Sequence, residues 1–304
     1  MRRIALSGLL ATALCAAPLA ALAQEITVPT AQGPVTLPGT PQSVAVYDMA
    51  ALDTITALGV APTGTIDRIL VPALRDAAGD AAPVGTLFEP DLEALAGLAP
   101  DLVIVGGRSA TQLSAVSQVA PAIDMTLGTD LLADARARIE GYGALFNKTD
   151  EAAALTATLD DKLAGLDKAA ADQGSMLIVM TNGPKMSAYG KDSRFGWIFA
   201  ATGMAEAVPG LDQANHGQAI SHEFIAEANP DWLLVVDRGA AIGADGQGAE
   251  ATLRSALVEG TTAWQQDQVI YLDPAATYIA AGGYGALTAT LDQLTAALSD
   301  GADS

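Results

Sequence analysis

Two stretches 130 residues apart carry one pattern, and a chain built on that repeat has few ways to fold. Residues 91–110 read DLEALAGLAPDLVIVGGRSA and residues 221–240 read SHEFIAEANPDWLLVVDRGA. Glu93 aligns with Glu223, Pro100 with Pro230, Asp101 with Asp231 and Arg108 with Arg238. Each copy predicts a helix, a Pro-Asp turn, a short buried strand and an arginine just past the strand's C-terminal end. Strands that alternate with helices predict parallel βαβ units. Two copies of such a unit predict two lobes. Open α/β sheets take ligands beyond the C-terminal ends of their strands, and two-lobed proteins take them between the lobes. Both arginines would then face one cleft.

A helical pattern separates the copies. Thr149 can cap a helix whose first turn holds Asp150 and Glu151, where the helix dipole favours negative charge. Leu155, Leu159, Leu163 and Leu166 share one face, and the pattern runs to about Ala171. At ~1.5 Å per residue the helix is on the order of 30 Å long, the span of a small domain. The expected organisation is an α/β protein of two Rossmann-like lobes, 24–149 and 173–304, joined by one backbone helix at 150–172. Shorter signals fill in the lobes. Ile26–Thr30 and Pro34–Pro38 read as a hairpin, Ser43–Tyr47 as a strand before a helix ending at Gly59, and Leu92–Leu98 as a helix before a strand at Asp101–Val105. The βα pattern restarts with Met176–Thr181, Trp232–Val236 and Val269–Leu272.

The start of the chain reads as a leader. Met1-Arg2-Arg3 is positive, Ile4 to Leu22 is apolar, and Ala21-Leu22-Ala23 is a small-x-small cleavage site before Gln24. The flanks and the Ala-x-Ala site fit cleavage better than a membrane anchor, and Leu14 directly before Cys15 is a poor signal for a lipid anchor. Residues 1–23 are therefore expected to be a cleaved signal peptide and the mature protein to work in the periplasm. Cys15 is the only cysteine, so a mature chain holds no thiol, which excludes thiol catalysis, cysteine–zinc sites and Fe–S clusters. The formal charge of -20 becomes -22 without Arg2 and Arg3, because residues 1–23 contain no acid. So acidic a surface repels nucleic acid and anionic membranes, and makes each remaining arginine informative.

Several segments in the second half then carry a specific wording. Lys185-Met186-Ser187-Ala188-Tyr189-Gly190 leads to Ser193-Arg194-Phe195-Gly196, then His216-Gly217-Gln218, Val236-Asp237-Arg238 and Asp273-Pro274 with Thr277-Tyr278-Ile279-Ala280. In the first half, Leu52-Asp53-Thr54 with Ala57-Leu58-Gly59, and Glu89-Pro90-Asp91-Leu92-Glu93 with Pro100-Asp101-Leu102-Val103-Ile104-Val105, agree. Their joint order, over nearly the whole mature chain, resembles the periplasmic ferric-siderophore binding proteins of the helical-backbone class, and within them the branch that takes catecholates such as petrobactin or enterobactin fragments.

The resemblance implies roles. Arg108, Arg194 and Arg238 match the family's three cleft arginines, which contact catecholate oxygens. His216 and Tyr278 match the two side chains that complete the iron shell of a siderophore with four donors. Glu93 and Glu223 match two glutamates that dock on an ABC permease at the inner membrane, expected at the outer ends of the lobes, away from the arginines. Lys185 and Tyr189 are weaker cleft candidates. The chemistry agrees independently: guanidinium forks donate to anionic oxygens without losing charge, and hard ferric iron accepts phenolate and imidazole. The implied protein is a monomeric carrier, not an enzyme, with no resident cofactor and a ferric siderophore (Fe3+) as ligand. Haem, a corrinoid, or a hydroxamate or citrate chelate are alternative ligands. A secreted α/β hydrolase is the rival class, and the chain lacks its G-x-S-x-G elbow. His222-Glu223 lacks the second histidine of a zinc-protease helix, and the glycine-rich 239–248 lacks a dinucleotide site's strand–helix context.

Overall fold

The computed structural model describes residues 25–211 and 216–300. The expected signal peptide, with Cys15, lies outside them. Among the described residues no helix is long and apolar enough to cross a membrane.

A hairpin of β1 (Ile26–Thr30) and β2 (Gly33–Leu37) precedes the first lobe. That lobe is a parallel sheet of β3 (Val44–Val46), β4 (Gly64–Thr65), β5 (Ala82–Pro83), β6 (Leu102–Val105) and β7 (Ala122–Asp124), in the order β5-β4-β3-β6-β7. The second lobe holds β8 (Ser175–Asn182), β9 (Lys185–Tyr189), β10 (Ala205–Glu206), β11 (Gln218–Ile220), β12 (Trp232–Asp237) and β13 (Val269–Tyr271). Its order is β11-β9-β8-β12-β13, with β10 also on β8; β9 runs antiparallel to both β8 and β11, while β8, β12, β13 and β10 are parallel.

The repeat is a repeat of local physics. Asp91 caps the helix Leu92–Leu98 by accepting from the backbone of Glu93 and Ala94, and Ser221 caps His222–Ala228 by accepting from Phe224. Each helix ends on a left-handed residue, Ala99 (φ 49°) and Asn229 (φ 38°), which breaks it before the proline. The aspartate of each Pro-Asp turn then fastens the neighbouring strand. Asp101 accepts from the backbone of Gln42 (2.8 Å) and Ser43 (2.9 Å) ahead of β3, and Asp231 accepts from the Ser175 backbone (2.7 Å) at the head of β8. The two apolar strands that follow, β6 and β12, are interior strands of their sheets.

One helix, Thr149–Ala170, links the lobes. Leu159 and Leu166 are fully buried and Leu155 and Leu163 pack beside them, as the spacing predicts. The capping differs from expectation: Lys148 occupies the cap without a side-chain bond, and Thr149 is the first helical residue. Asn147, with φ 55°, turns the chain one residue earlier than the threonine pattern implies.

The C-terminal helix Tyr284–Asp300 follows the second lobe in sequence, yet it lies along the backbone helix and against Met49–Ala57 of the first lobe. Lys162 pairs with Asp292 along that contact. At its start the buried carboxylate of Asp53 accepts from Ala286 N (2.7 Å), and Tyr284 N donates to Thr54 Oγ1 (3.2 Å). A Cβ at Gly283 would stand 2.5 Å from Asp53 Oδ2, so glycine is what allows this approach. A single apolar cluster consequently runs from the first lobe through the two long helices into the second.

Burial, partly offset by backbone hydrogen bonds from Ala286 and Gly285, pushes Asp53 up to about 6. A carboxyl raised above its unfolded value of ~3.9 makes the folded state bind more protons between ~4 and ~6, so its contribution to stability grows as pH falls through that window. The stability of the wild type minus that of Asp53→Asn should therefore rise by roughly 2–3 kcal/mol from pH ~7 to pH ~4, as measured by denaturant unfolding at each pH. A difference that does not change with pH would contradict this.

Candidate functional site

The C-terminal ends of the two sheets bring three arginines onto one tyrosine. Arg108 follows β6 in the turn Gly107–Gln112, Arg238 follows β12, and Arg194 stands in the loop between β9 and the helix Gly196–Thr202. Tyr278 closes the short helix Pro274–Tyr278, whose start is capped by Asp273. Arg238 Nε donates to Tyr278 Oη (2.9 Å). Arg108 Nη2 (3.1 Å) and Arg194 Nη2 (3.4 Å) donate to the Tyr278 carbonyl. The guanidinium carbons of Arg108 and Arg194 each lie 4.5 Å from the centre of the Tyr278 ring, and that of Arg238 lies 5.7 Å away. Each such stacking contributes on the order of 0.5–1 kcal/mol, more where water is excluded.

Among the described residues none of these arginines forms an ion pair with a carboxylate. Ion pairs among the described residues lie elsewhere, at Arg136–Asp160, Lys148–Glu151, Lys162–Asp292 and Arg254–Glu250. Burial, with the like charges of Arg194 and Arg238, lowers the Arg108 guanidinium from its usual value against the opposing pull of Tyr278. Burial acts upward on the Tyr278 phenol, but the Arg238 hydrogen bond and the charges of Arg108, Arg238 and Arg194 outweigh it, so the phenol sits below the ordinary tyrosine range. A set of cations around a phenol of lowered pKa attracts an anion and eases ionisation of a hard oxygen donor for a metal which that anion carries.

Arg108, Arg194 and Tyr278 line a cavity of about 820 Å³ between the lobes, to which the first lobe also contributes Met49, Leu87 and Thr126; Arg238 is not part of that lining. Asp48, absent from the sequence-based site, also lines it. It caps the helix Met49–Ala57 through Ala51 N (2.7 Å), and burial, set against that bond, pushes its carboxyl up to about 6. In sequence it is indistinguishable from an ordinary cap, and Asn182, which accepts from Arg238 Nη1 (3.1 Å), carries no signal either.

The other sequence candidates are placed differently. His216 is exposed in the turn before β11. It is not among the residues that line the cavity. Tyr189 does not open to the cleft: it is 1% exposed, packs edge-on against Phe195 (4.9 Å between centres) and directs its hydroxyl toward Met180 Sδ at 3.9 Å. It supports the Arg194 loop from beneath, and burial raises it to about 12. Lys185 is exposed at the hairpin between β8 and β9, outside the cavity lining. Glu93 and Glu223 are both exposed at the second position of equivalent helices. Each helix runs antiparallel to the strand after it, so the two glutamates stand level with the strand C-terminal ends rather than at the far ends of the lobes. His222 is structural, its Nε2 2.7 Å from the Thr252 carbonyl oxygen.

Residues 44–276 match the periplasmic binding protein family Peripla_BP_2. The chain is 34% identical over 156 residues to the petrobactin-binding protein YclQ of Bacillus subtilis (51% of this chain, 49% of the relative). It is 33% identical over 153 residues to the ferric-anguibactin-binding protein FatB of Vibrio anguillarum (50% and 48%). These matches span about half the length of each curated relative. Solved structures match further. That of YclQ aligns with a TM-score of 0.84 at 32% identity, covering 90% of this chain and 99% of that one. The periplasmic catecholate-siderophore binding protein VctP of Vibrio cholerae aligns at 0.84 and 29%, covering 90% and 100%.

The electrostatics can be read directly. Tyr278 is held below ~10, while burial raises Tyr47, Tyr142, Tyr189 and Tyr271. An ultraviolet phenolate titration of the free protein should show one early tyrosine, missing in Tyr278→Phe and moved upward in Arg238→Gln. An early transition that survives in Tyr278→Phe would refute the assignment.

Proposed function

The chain belongs to the Peripla_BP_2 family of periplasmic binding proteins, and on that footing we propose that it captures an anionic ferric siderophore of the catecholate type between its lobes and delivers it to an ABC importer for iron uptake. The observation that carries the proposal is the cluster of Arg108, Arg194 and Arg238 around Tyr278, which has no ion-pair partner among the described residues and of which Arg108, Arg194 and Tyr278 line the cleft. The relatives' names point the same way, since they bind petrobactin, ferric anguibactin and catecholate siderophores.

The chemistry follows from charge. A ferric catecholate is anionic, and its oxygens accept charge-assisted hydrogen bonds worth roughly 1.5–3 kcal/mol each. Arg108 and Arg194 present their remaining donors to those oxygens, and desolvation in the cleft strengthens the pairing. A chelate with six donors saturates its iron and needs only the arginines. A bis-catecholate supplies four oxygens, and Tyr278 oxygen and His216 nitrogen fill the two remaining positions. The three guanidinium groups lower the cost of making the Tyr278 phenolate, and the iron charge completes the deprotonation. Binding of a four-donor chelate therefore releases a proton and weakens as pH falls. Glu93 and Glu223, one on each lobe, meet basic residues of the permease while the cleft holds the ligand.

Paired affinities from tryptophan quenching test the division of labour. Tyr278→Phe and His216→Ala should each weaken a ferric bis-catecholate by about tenfold or more and leave a hexadentate ferric tris-catecholate within about twofold, whereas Arg194→Gln should weaken both. Equal losses on both ligands for Tyr278→Phe, with an unchanged charge-transfer band, would rule out coordination. Glu93→Ala with Glu223→Ala should leave both affinities intact and cripple uptake into cells. Normal uptake by that double variant would remove the docking role.

A further inference from the structure

A fourth guanidinium spans from the first lobe to the second at a place the repeat does not mark. Arg68 follows β4, beyond the same end of the first sheet from which Arg108 follows β6. The segment beneath it is fixed. Ile66 and Ile69 on either side are buried, Asp67 N donates to the Gly85 carbonyl (2.8 Å), and Gly85 N donates back to Asp67 Oδ1 (2.9 Å). From this base the side chain crosses to the opposite lobe. Its Nη2 lies 3.2 Å from the point where a Cβ on Gly243 would stand. Gly243 opens the exposed stretch 243–248, which borders a hollow of about 290 Å³ lined by Asn182, Asp237, Asp245 and Gln247. Asn182 is the residue that holds Arg238, so the hollow adjoins the arginine cluster.

Two facts give Arg68 a ligand-directed character. In a chain with 35 acids against 15 lysines and arginines, it forms no ion pair with any described residue, although Asp245 lies on the loop it reaches. Asp237, the other acid of the hollow, spends both carboxylate oxygens on the backbone of Ala240 (3.0 Å) and Ala249 (2.8 Å). We propose that Arg68 is a further ligand-binding residue, one that recognises a carboxylate on the part of the chelate lying outside the iron core, over the hollow at 182–183 and 244–248. The proposal rests on the ferric-chelate reading of the cleft and adds a specificity element to it. The inner three arginines answer to catecholate oxygens, which every ligand of this class carries. Arg68 answers to the linker that joins them, which differs between ligands. A planar fork on a fixed base loses little freedom on pairing with a carboxylate.

The test uses two synthetic ferric bis-catecholates with linkers of equal length, one a neutral alkyl chain and one bearing a single carboxylate. Wild-type protein should bind the carboxylate-bearing chelate about tenfold more tightly. Arg68→Gln should abolish that preference and leave the neutral chelate within about twofold of wild type. Arg194→Gln should weaken both chelates and keep the preference. A preference that survives in Arg68→Gln, or an equal loss on both chelates, overturns the proposal. If the wild type binds neither chelate, the ferric-chelate reading itself falls, and the role of Arg68 with it.

Discussion

Three guanidinium groups held around one phenol repel one another, and most of the architecture near the cleft can be understood as what keeps them there. Arg238 is fixed through Tyr278 Oη and Asn182, and Arg108 and Arg194 through the Tyr278 carbonyl. The ring of Tyr278 lies between the charges and gives each a polarisable face. Arg194 depends on its loop as well. A Cβ at Gly196 would overlap the Lys191 carbonyl, so the turn that presents Arg194 is closed too tightly for any side chain there. Behind it Tyr189 and Phe195 form an edge-on aromatic support. The protein holds this cationic arrangement ready before ligand arrives, which removes part of the ordering cost of binding.

The lobes hold that geometry because they share a core. The backbone helix alone would be a single strut. The C-terminal helix runs beside it and is fastened to the first lobe by Asp53, so two helices resist displacement of one sheet against the other. Tyr278 sits six residues before that helix begins, which ties the phenol at the centre of the site to the same fastening.

What could be read from the sequence was local, and what could not was tertiary. Arg108 and Arg238 emerge from the repeat because each belongs to one contiguous unit of helix, Pro-Asp turn, strand and strand end. Arg194 and Tyr278 come only from resemblance, since a loop arginine and a helical tyrosine carry no period. Tyr189 at a strand end has no sequence mark that says whether its ring faces a cleft or a core. Glu93 and Glu223 were legible as a pair, but their level in the lobe follows from helix direction relative to the next strand. The return of the last helix to the first lobe depends on Asp53 meeting Ala286, residues too far apart in sequence for any window to join. Arg68 is an unremarkable arginine until the opposite lobe is placed against it.

The central claim is that iron enters this cleft as an anionic chelate and comes to rest against Tyr278 among the three arginines. The most direct measurement is a crystal of the protein grown with a ferric bis-catecholate, with the iron located by anomalous scattering at its absorption edge. One iron peak within bonding reach of Tyr278 Oη, with the catecholate oxygens turned toward Arg108 and Arg194, is the predicted result. An iron peak elsewhere on the molecule, or a chelate in the cleft whose catecholates face away from the arginines, would contradict it.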